Sequence, residues 1–177
     1  MIFFQENLIA PIRDFFEAGG DVLFAILFVT ILMWTLIIER LWFFYFVLPG
    51  RVRKVTETWN ARSDTFSWYA RQVRQQLVSE VGVECRHYLP IIKALMAILP
   101  LLGLLGTVTG MIEVFEVMAI SGSGNPRSMA SGVSKATVPT MAGMVAALSG
   151  VAMSAYLENK ARRERDFIAD ELIIEAS

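Results

Sequence analysis

The chain offers one cysteine, Cys85, and one histidine, His87, in 177 residues. A single cysteine excludes an internal disulfide, and the two residues together cannot supply the four ligands of a zinc site. Both read as exposed side chains of a loop, where most polar side chains of no chemical role are found. Charge of either sign is not in excess: the formal net charge is -1. The footprint of a nucleic-acid partner is therefore missing. There is no phosphate-cradling glycine loop with its lysine, no metal-ligand spacing and no serine in a nucleophile elbow. A hydrolase or ATPase is excluded on that ground, and no enzyme activity, metal or cofactor is expected. The first residues, Met1 to Phe16, lack an early basic region and carry Glu6, Arg13 and Asp14, so they do not read as a cleavable signal.

What is abundant is apolar sequence: 55% of residues are hydrophobic, too many for an ordinary soluble domain of this length. About 20 apolar residues cross a bilayer core. Three segments qualify: Val22 to Ile38 with an apolar continuation to Leu48, Ala94 to Ile112, and Ala136 to Leu157. The expected fold is an all-α integral membrane protein. It has three transmembrane helices, long cytoplasmic helical extensions and an N-terminal interfacial amphipathic helix. The division that follows is 1–18 for the outer interfacial helix, 22–48 for the first span and 49–93 for a cytoplasmic helical loop. Then come 94–117 for the second span, 118–135 for a periplasmic loop, 136–157 for the third span and 158–177 for a cytoplasmic helical tail.

Orientation comes from the cations. Arg51, Arg53, Lys54, Arg62, Arg71, Arg74, Arg86 and Lys93 lie between the first two spans; Lys160, Arg162, Arg163 and Arg165 follow the third. Positive loops stay in the cytoplasm. The N-terminus is then outside, the long loop and the C-terminal tail are in the cytoplasm, and the protein is multi-pass; the bacterial inner membrane and its periplasm are what the family resemblance given below implies. Phe4, Leu8, Ile12 and Phe15 at helical spacing predict a helix lying on the outer interface, broken at Gly19-Gly20. Phe66, Tyr69, Val73, Leu77 and Val81 predict a packed cytoplasmic helix face, and Ile168 with Leu172 predicts that the tail continues the third helix. Leu23, Phe24, Ile26, Leu27, Phe28, Ile31 and Trp34 give the first span a lipid-facing character. The stretch Ser121 to Pro126 reads as a mobile turn.

The second and third spans differ from the first in carrying small residues and threonines. Thr107 shares a helix face with Gly103 and Gly110; Thr137 and Thr140 neighbour Ala136, Gly143 and Ala147. Gly106 with Gly110, and Gly150 with Ser154, are small-xxx-small pairs. Such faces serve protein contact rather than lipid: either plain helix packing or the lining of a cavity or partner groove. Glu113 and Glu116 end the second span and Lys135 begins the third, so an ion pair across helices or subunits is expected at the outer boundary. Glu39 and Arg40 sit at the cytoplasmic edge of the first span, either as an anchor reaching anionic headgroups of membrane lipids or as a contact to the cytoplasmic helices. The middle of the threonine faces has no carboxylate. Proton transfer through a membrane needs a titratable group, so a conducting chain would take one from a second, single-span subunit. A stand-alone solute transporter would show repeats and midplane polar groups, and neither is present.

Pro100 followed by Gly103-Leu104-Leu105-Gly106-Thr107-Val108-Thr109-Gly110 resembles the second-span signature of the ExbB/TolQ/MotA family of proton-channel motor proteins. Gly132-Val133-Ser134-Lys135-Ala136-Thr137-Val138-Pro139-Thr140-Met141-Ala142-Gly143-Met144-Val145-Ala146-Ala147 resembles its third-span signature. The resemblance covers Leu99 to Ala155 by motif and the rest by architecture. It implies a homo-pentamer whose second and third spans surround an ExbD-like subunit bearing a proton-accepting aspartate, with Thr107 and Thr140 lining the groove near that aspartate. It implies further that proton passage drives rotation and, in the ExbB branch, energises a TonB-like protein for import of iron chelates, haem or similar cargo. The short loop between the first two spans resembles the compact ExbB type; a TolQ-like subunit for envelope constriction and a passive scaffold for a partner helix are the alternatives. The chain departs from the pattern at Lys135, where relatives often have glutamate, at Pro139, and at Glu113 and Glu116.

Overall fold

The structure is a computed structural model. It describes residues 2–62, 64, 67–121 and 126–172, with backbone alone for 2–14, 17, 18, 121, 126–128 and 131. Every element among the described residues is helical: α1 (Ile2–Trp42), a π-helical turn (Phe43–Val47), α2 (Leu48–Asn60), α3 (Trp68–Arg86), α4 (Leu89–Ser121) and α5 (Pro126–Glu171). Three helical stretches, Gly19–Asn60, Trp68–Ile120 and Gly132–Glu171, contain segments long and apolar enough to cross a membrane. The segment 118–135, expected as a loop, is helical on both sides of 122–125. The mobile turn expected at Ser121 to Pro126 falls mainly on 122–125, outside the described residues.

The helices are longer than the spans because nothing in the sequence stops them where the apolar runs end. The break in α1 is at Gly20, whose φ of 62° and ψ of -164° suit a residue without Cβ. The side chains of Phe4, Leu8 and Ile12, on which the amphipathic reading rested, lie outside the described residues. α3 begins at Ser67, which accepts a hydrogen bond from the Ala70 N–H at 3.1 Å and whose own N–H donates to Asp64. That is an N-cap supported from outside.

Contacts divide the chain into two units, 1–34 with 94–151 and 35–93 with 152–177. The first unit buries Leu23, Ile26 and Met33 of α1, Leu99 and Val114 of α4, and Ala136 and Ala147 of α5. The first span is therefore not lipid-facing all round. Leu23 and Ile26 point inward, while Phe24, Leu27, Phe28 and Ile31 remain exposed, because a 3.6-residue period divides any apolar helix between two faces.

The second unit buries Ile37, Phe44 and Leu48, then Trp59, Ala70, Val81 and Cys85, then Ile92, Leu157, Ile168 and Leu172. The inward stripe of α3 differs from the expected one. Tyr69 is exposed, Val73 and Leu77 are half-buried, and Ala70, Val81 and Cys85 carry the contact; Phe66 lies outside the described residues. The helix phase set at Ser67 puts the small Ala70 against neighbouring atoms and leaves the larger ring outside. Cys85 is likewise a buried helical residue rather than a loop side chain. His87 is exposed.

Candidate functional site

In the first unit the small residues of α4 meet those of α5 at very short range. A Cβ placed on Gly103 would lie 2.9 Å from the Thr140 Cα. On Gly110 it would lie 2.8 Å from the Ala136 Cβ, and on Gly143 only 2.5 Å from the Leu99 carbonyl oxygen. These glycines let two backbones touch, which is how helices associate where lipid offers no hydrophobic drive. Gly103, Gly110, Gly143 and the buried Ala147 are thus occupied by packing inside the chain. Two further parts of this seam were named from the sequence, Pro139 as a departure from the family pattern and Gly106 and Gly150 in small-residue pairs, but not the partners they meet. Buried Pro139 fills the notch opposite Gly106, and Met33 of α1 and Met96 of α4 close on Gly150.

The threonines are less enclosed. Thr140 is half-buried and its hydroxyl donates across the seam to the Gly103 carbonyl at 2.9 Å. Thr107 is half-buried and Thr137 exposed; each donates to its own helix, to Leu104 at 2.7 Å and Ser134 at 2.8 Å. Around them stand exposed apolar side chains: Leu104, Leu105 and Val108 on α4, Met141, Met144, Val145 and Leu148 on α5. The segments 94–112 and 136–155 contain no acidic, basic or histidine residue. The seam can hold a partner's group by hydroxyl and shape, but it has no titratable group of its own.

At the outer end of the same unit lies a cavity of about 280 Å³ lined by Gly20, Asp21, Thr109, Glu113, Lys135 and Pro139 among others. Glu113 and Lys135 also line a neighbouring cavity of about 230 Å³ with Met118 and Met129. The structure brings Glu113 and Lys135 to the same openings but forms no salt bridge between them among the described residues. Glu116 is exposed and lines neither.

Glu39 and Arg40 belong to the second unit. Arg40 is only 5% exposed, so it does not reach for headgroups. Its guanidinium holds the Glu39 carboxylate through two hydrogen bonds of 2.7 and 2.8 Å and donates to the Glu84 carbonyl at 3.0 Å. It lies 4.7 Å from the centre of the Phe43 ring and 4.8 Å from that of Tyr88, both within cation–π range. The pair is thus engaged with the end of α3 and with Tyr88. Tyr88 itself has a φ of 64°, a conformation that costs a non-glycine residue free energy, and its ring is held by Arg40 and edge-on to His87. Arg74 donates to the carbonyls of Leu172 and Ala169, satisfying groups that a helix end leaves unpaired.

Lys93 binds Glu158 at 2.9 Å, and that bond holds the Glu158 carboxyl below its usual range. Burial pushes the Cys85 thiol up to about 11, assisted by Glu164 and Glu84.

Against known proteins, the family model described as the MotA/TolQ/ExbB proton channel family matches residues 52–169. No curated protein matches the chain.

Proposed function

The chain belongs to the MotA/TolQ/ExbB proton channel family, and we propose that it is the ExbB-like motor subunit of a proton-driven complex. In this reading it is a homo-pentamer in a bacterial inner membrane, N-terminus periplasmic and C-terminus cytoplasmic. It encloses an ExbD-like single-span subunit with an aspartate, and the proton motive force energises a TonB-like protein for import of iron chelates, haem or similar cargo.

One observation carries the reading. Two adjacent apolar helices, α4 and α5, expose threonines yet contain no carboxylate through their membrane-crossing parts, so the titratable group must come from another chain. Thr107 and Thr140 are the residues assigned to the path, with Thr137 beside them. The short segment between the first two apolar helices supports the ExbB branch over a TolQ-like role.

A passive scaffold is the second reading. It is favoured by the three hydroxyls, each already bonded to a backbone carbonyl, as plain packing requires. Proton flux into liposomes separates the two. The complex with its single-span partner should conduct, the chain alone should not, and Thr107→Val or Thr140→Val should lose flux with the complex intact. Conduction by the chain alone defeats the motor reading, and unchanged flux in both valine variants favours the scaffold.

A further inference from the structure

The second unit contains a cavity that the channel role does not use. It measures about 480 Å³ and lies where α3 turns into α4, alongside α5. Leu89 and Pro90 form an apolar part of its wall; Arg86, Lys93, Arg162 and Arg165 form a cationic part, with Glu158 and Asp166 also present. Glu158 holds both Lys93 and Arg162. Arg86 and Arg165 are different. Both are exposed, and among the described residues neither makes a salt bridge or hydrogen bond. The Arg165 stem lies alongside Gly82 of α3, its Cδ 3.4 Å from where a Cβ on that glycine would stand, ordinary van der Waals distance. The same two arginines also line an adjoining cavity of about 680 Å³ that has no carboxylate in its wall.

Position selects the occupant. Lys93 directly precedes the apolar run that starts at Ala94. Arg165 lies eight residues beyond Leu157, the last residue of the third apolar run, or about 12 Å along α5 at the helical rise. Headgroups occupy roughly 5–8 Å outside the hydrocarbon, and arginine stems reach back that far by snorkelling. Two unpaired guanidiniums above an apolar ledge suit a phosphate attached to a glycerol, since the guanidinium fork matches phosphate oxygens. The cations outnumber the acids in the wall, so an additional ligand cation is disfavoured.

We propose that Arg86 and Arg165, with Lys93, hold the phosphate of an anionic phospholipid from the adjoining leaflet, its glycerol against Leu89 and Pro90. This rests on 94–117 and 136–157 crossing a membrane, which is checked separately by whether the chain needs detergent to stay in solution.

The test is lipid retention by the full chain in detergent, read by native mass spectrometry during titration with phosphatidylglycerol or phosphatidylcholine. Phosphatidylglycerol should be retained at least tenfold better. Arg86→Gln with Arg165→Gln should reduce it to the phosphatidylcholine level, while the double lysine variant, which keeps the charge but loses the fork, retains an intermediate amount and Arg53→Gln changes nothing. Equal retention of the two lipids by the unaltered chain overturns the proposal without any variant. So does undiminished phosphatidylglycerol in the double glutamine protein. Displacement of the lipid by millimolar glycerol phosphate or inorganic phosphate would mean that a free phosphate is the occupant, which also overturns it.

Discussion

The two units of this chain are fastened by opposite means. In the first, α4 and α5 meet through absent side chains: Gly103, Gly110 and Gly143 bring backbones together, and one hydroxyl, that of Thr140, crosses the seam. In the second, long side chains bridge to backbone. Arg40 reaches the Glu84 carbonyl between two aromatic rings, and Arg74 reaches the end of α5. Helices in hydrocarbon gain nothing from hiding apolar surface, so close packing must hold them. Helices in water gain from burial but must pair every charge they enclose. The first pattern needs residues without side chains, the second needs long ones with several donors.

The sharpest way to break this contrast is Arg40→Met. Arg40 is enclosed but the side chain of its carboxylate partner Glu39 is 46% exposed, so the loss falls on the Glu84 carbonyl, the ring contacts and the packing of the guanidinium rather than on a stranded charge, and amounts to about 2–3 kcal/mol. Thermal unfolding in detergent should show a large fall in Tm. Lysine should rescue little, because it lacks the planar fork that serves Glu39 and Glu84 together.

Next comes Gly143→Ala. The added methyl meets the Leu99 carbonyl, which belongs to a helix backbone and cannot turn aside. Overpacking of this kind costs about 1–3 kcal/mol. The same change at Gly50, where a Cβ meets nothing within 4 Å, should leave the Tm unchanged or raise it. An equal loss at both sites would mean that the seam is not the tight contact described.

Thr140→Val removes a single hydrogen bond and should cost about 1 kcal/mol, far less than its expected effect on proton flux. A stability loss as large as that of Gly143→Ala would assign Thr140 to packing alone.

The smallest effect sharpens the second unit. With its thiol raised from 9.0 to about 11 by burial, Cys85 should resist alkylation at pH 8. The neutral thiol is the form the fold prefers, so the associated stability is complete below pH 9 and declines as pH rises toward 11. In the Arg40→Met protein, labelling at pH 8 should become measurably faster as the unit opens. Fast labelling of the unaltered chain would contradict the burial.

Much of this was legible in the sequence. Three long apolar runs, the glycine break before the first, and the small-residue faces of the second and third are patterns of composition and period. Both are local properties of a helix. The continuation of the tail as a packed helix was readable from Ile168 and Leu172 for the same reason. The inward face of α3 was misjudged because Tyr69 and Ala70 are adjacent, and hydrophobicity alone favours the ring; the capped start at Ser67 favours the alanine. Cys85 was misplaced because helix α3 runs to Arg86, past the point where its apolar pattern weakens.

The sequence by itself determined that this chain is helical, that it carries membrane-crossing apolar runs, and that α4 and α5 lack an acid of their own through those runs. Each of these is a property of one segment. Tertiary structure alone decided what the small faces touch: glycines that suit any close neighbour were taken up by the chain's own α5, leaving Thr107 and Thr137 open. It also decided that Arg40 turns inward to Glu84 and Tyr88 rather than outward to lipid. A side chain with two possible solvents chooses by which partners lie within reach, and reach is set only when distant segments have packed.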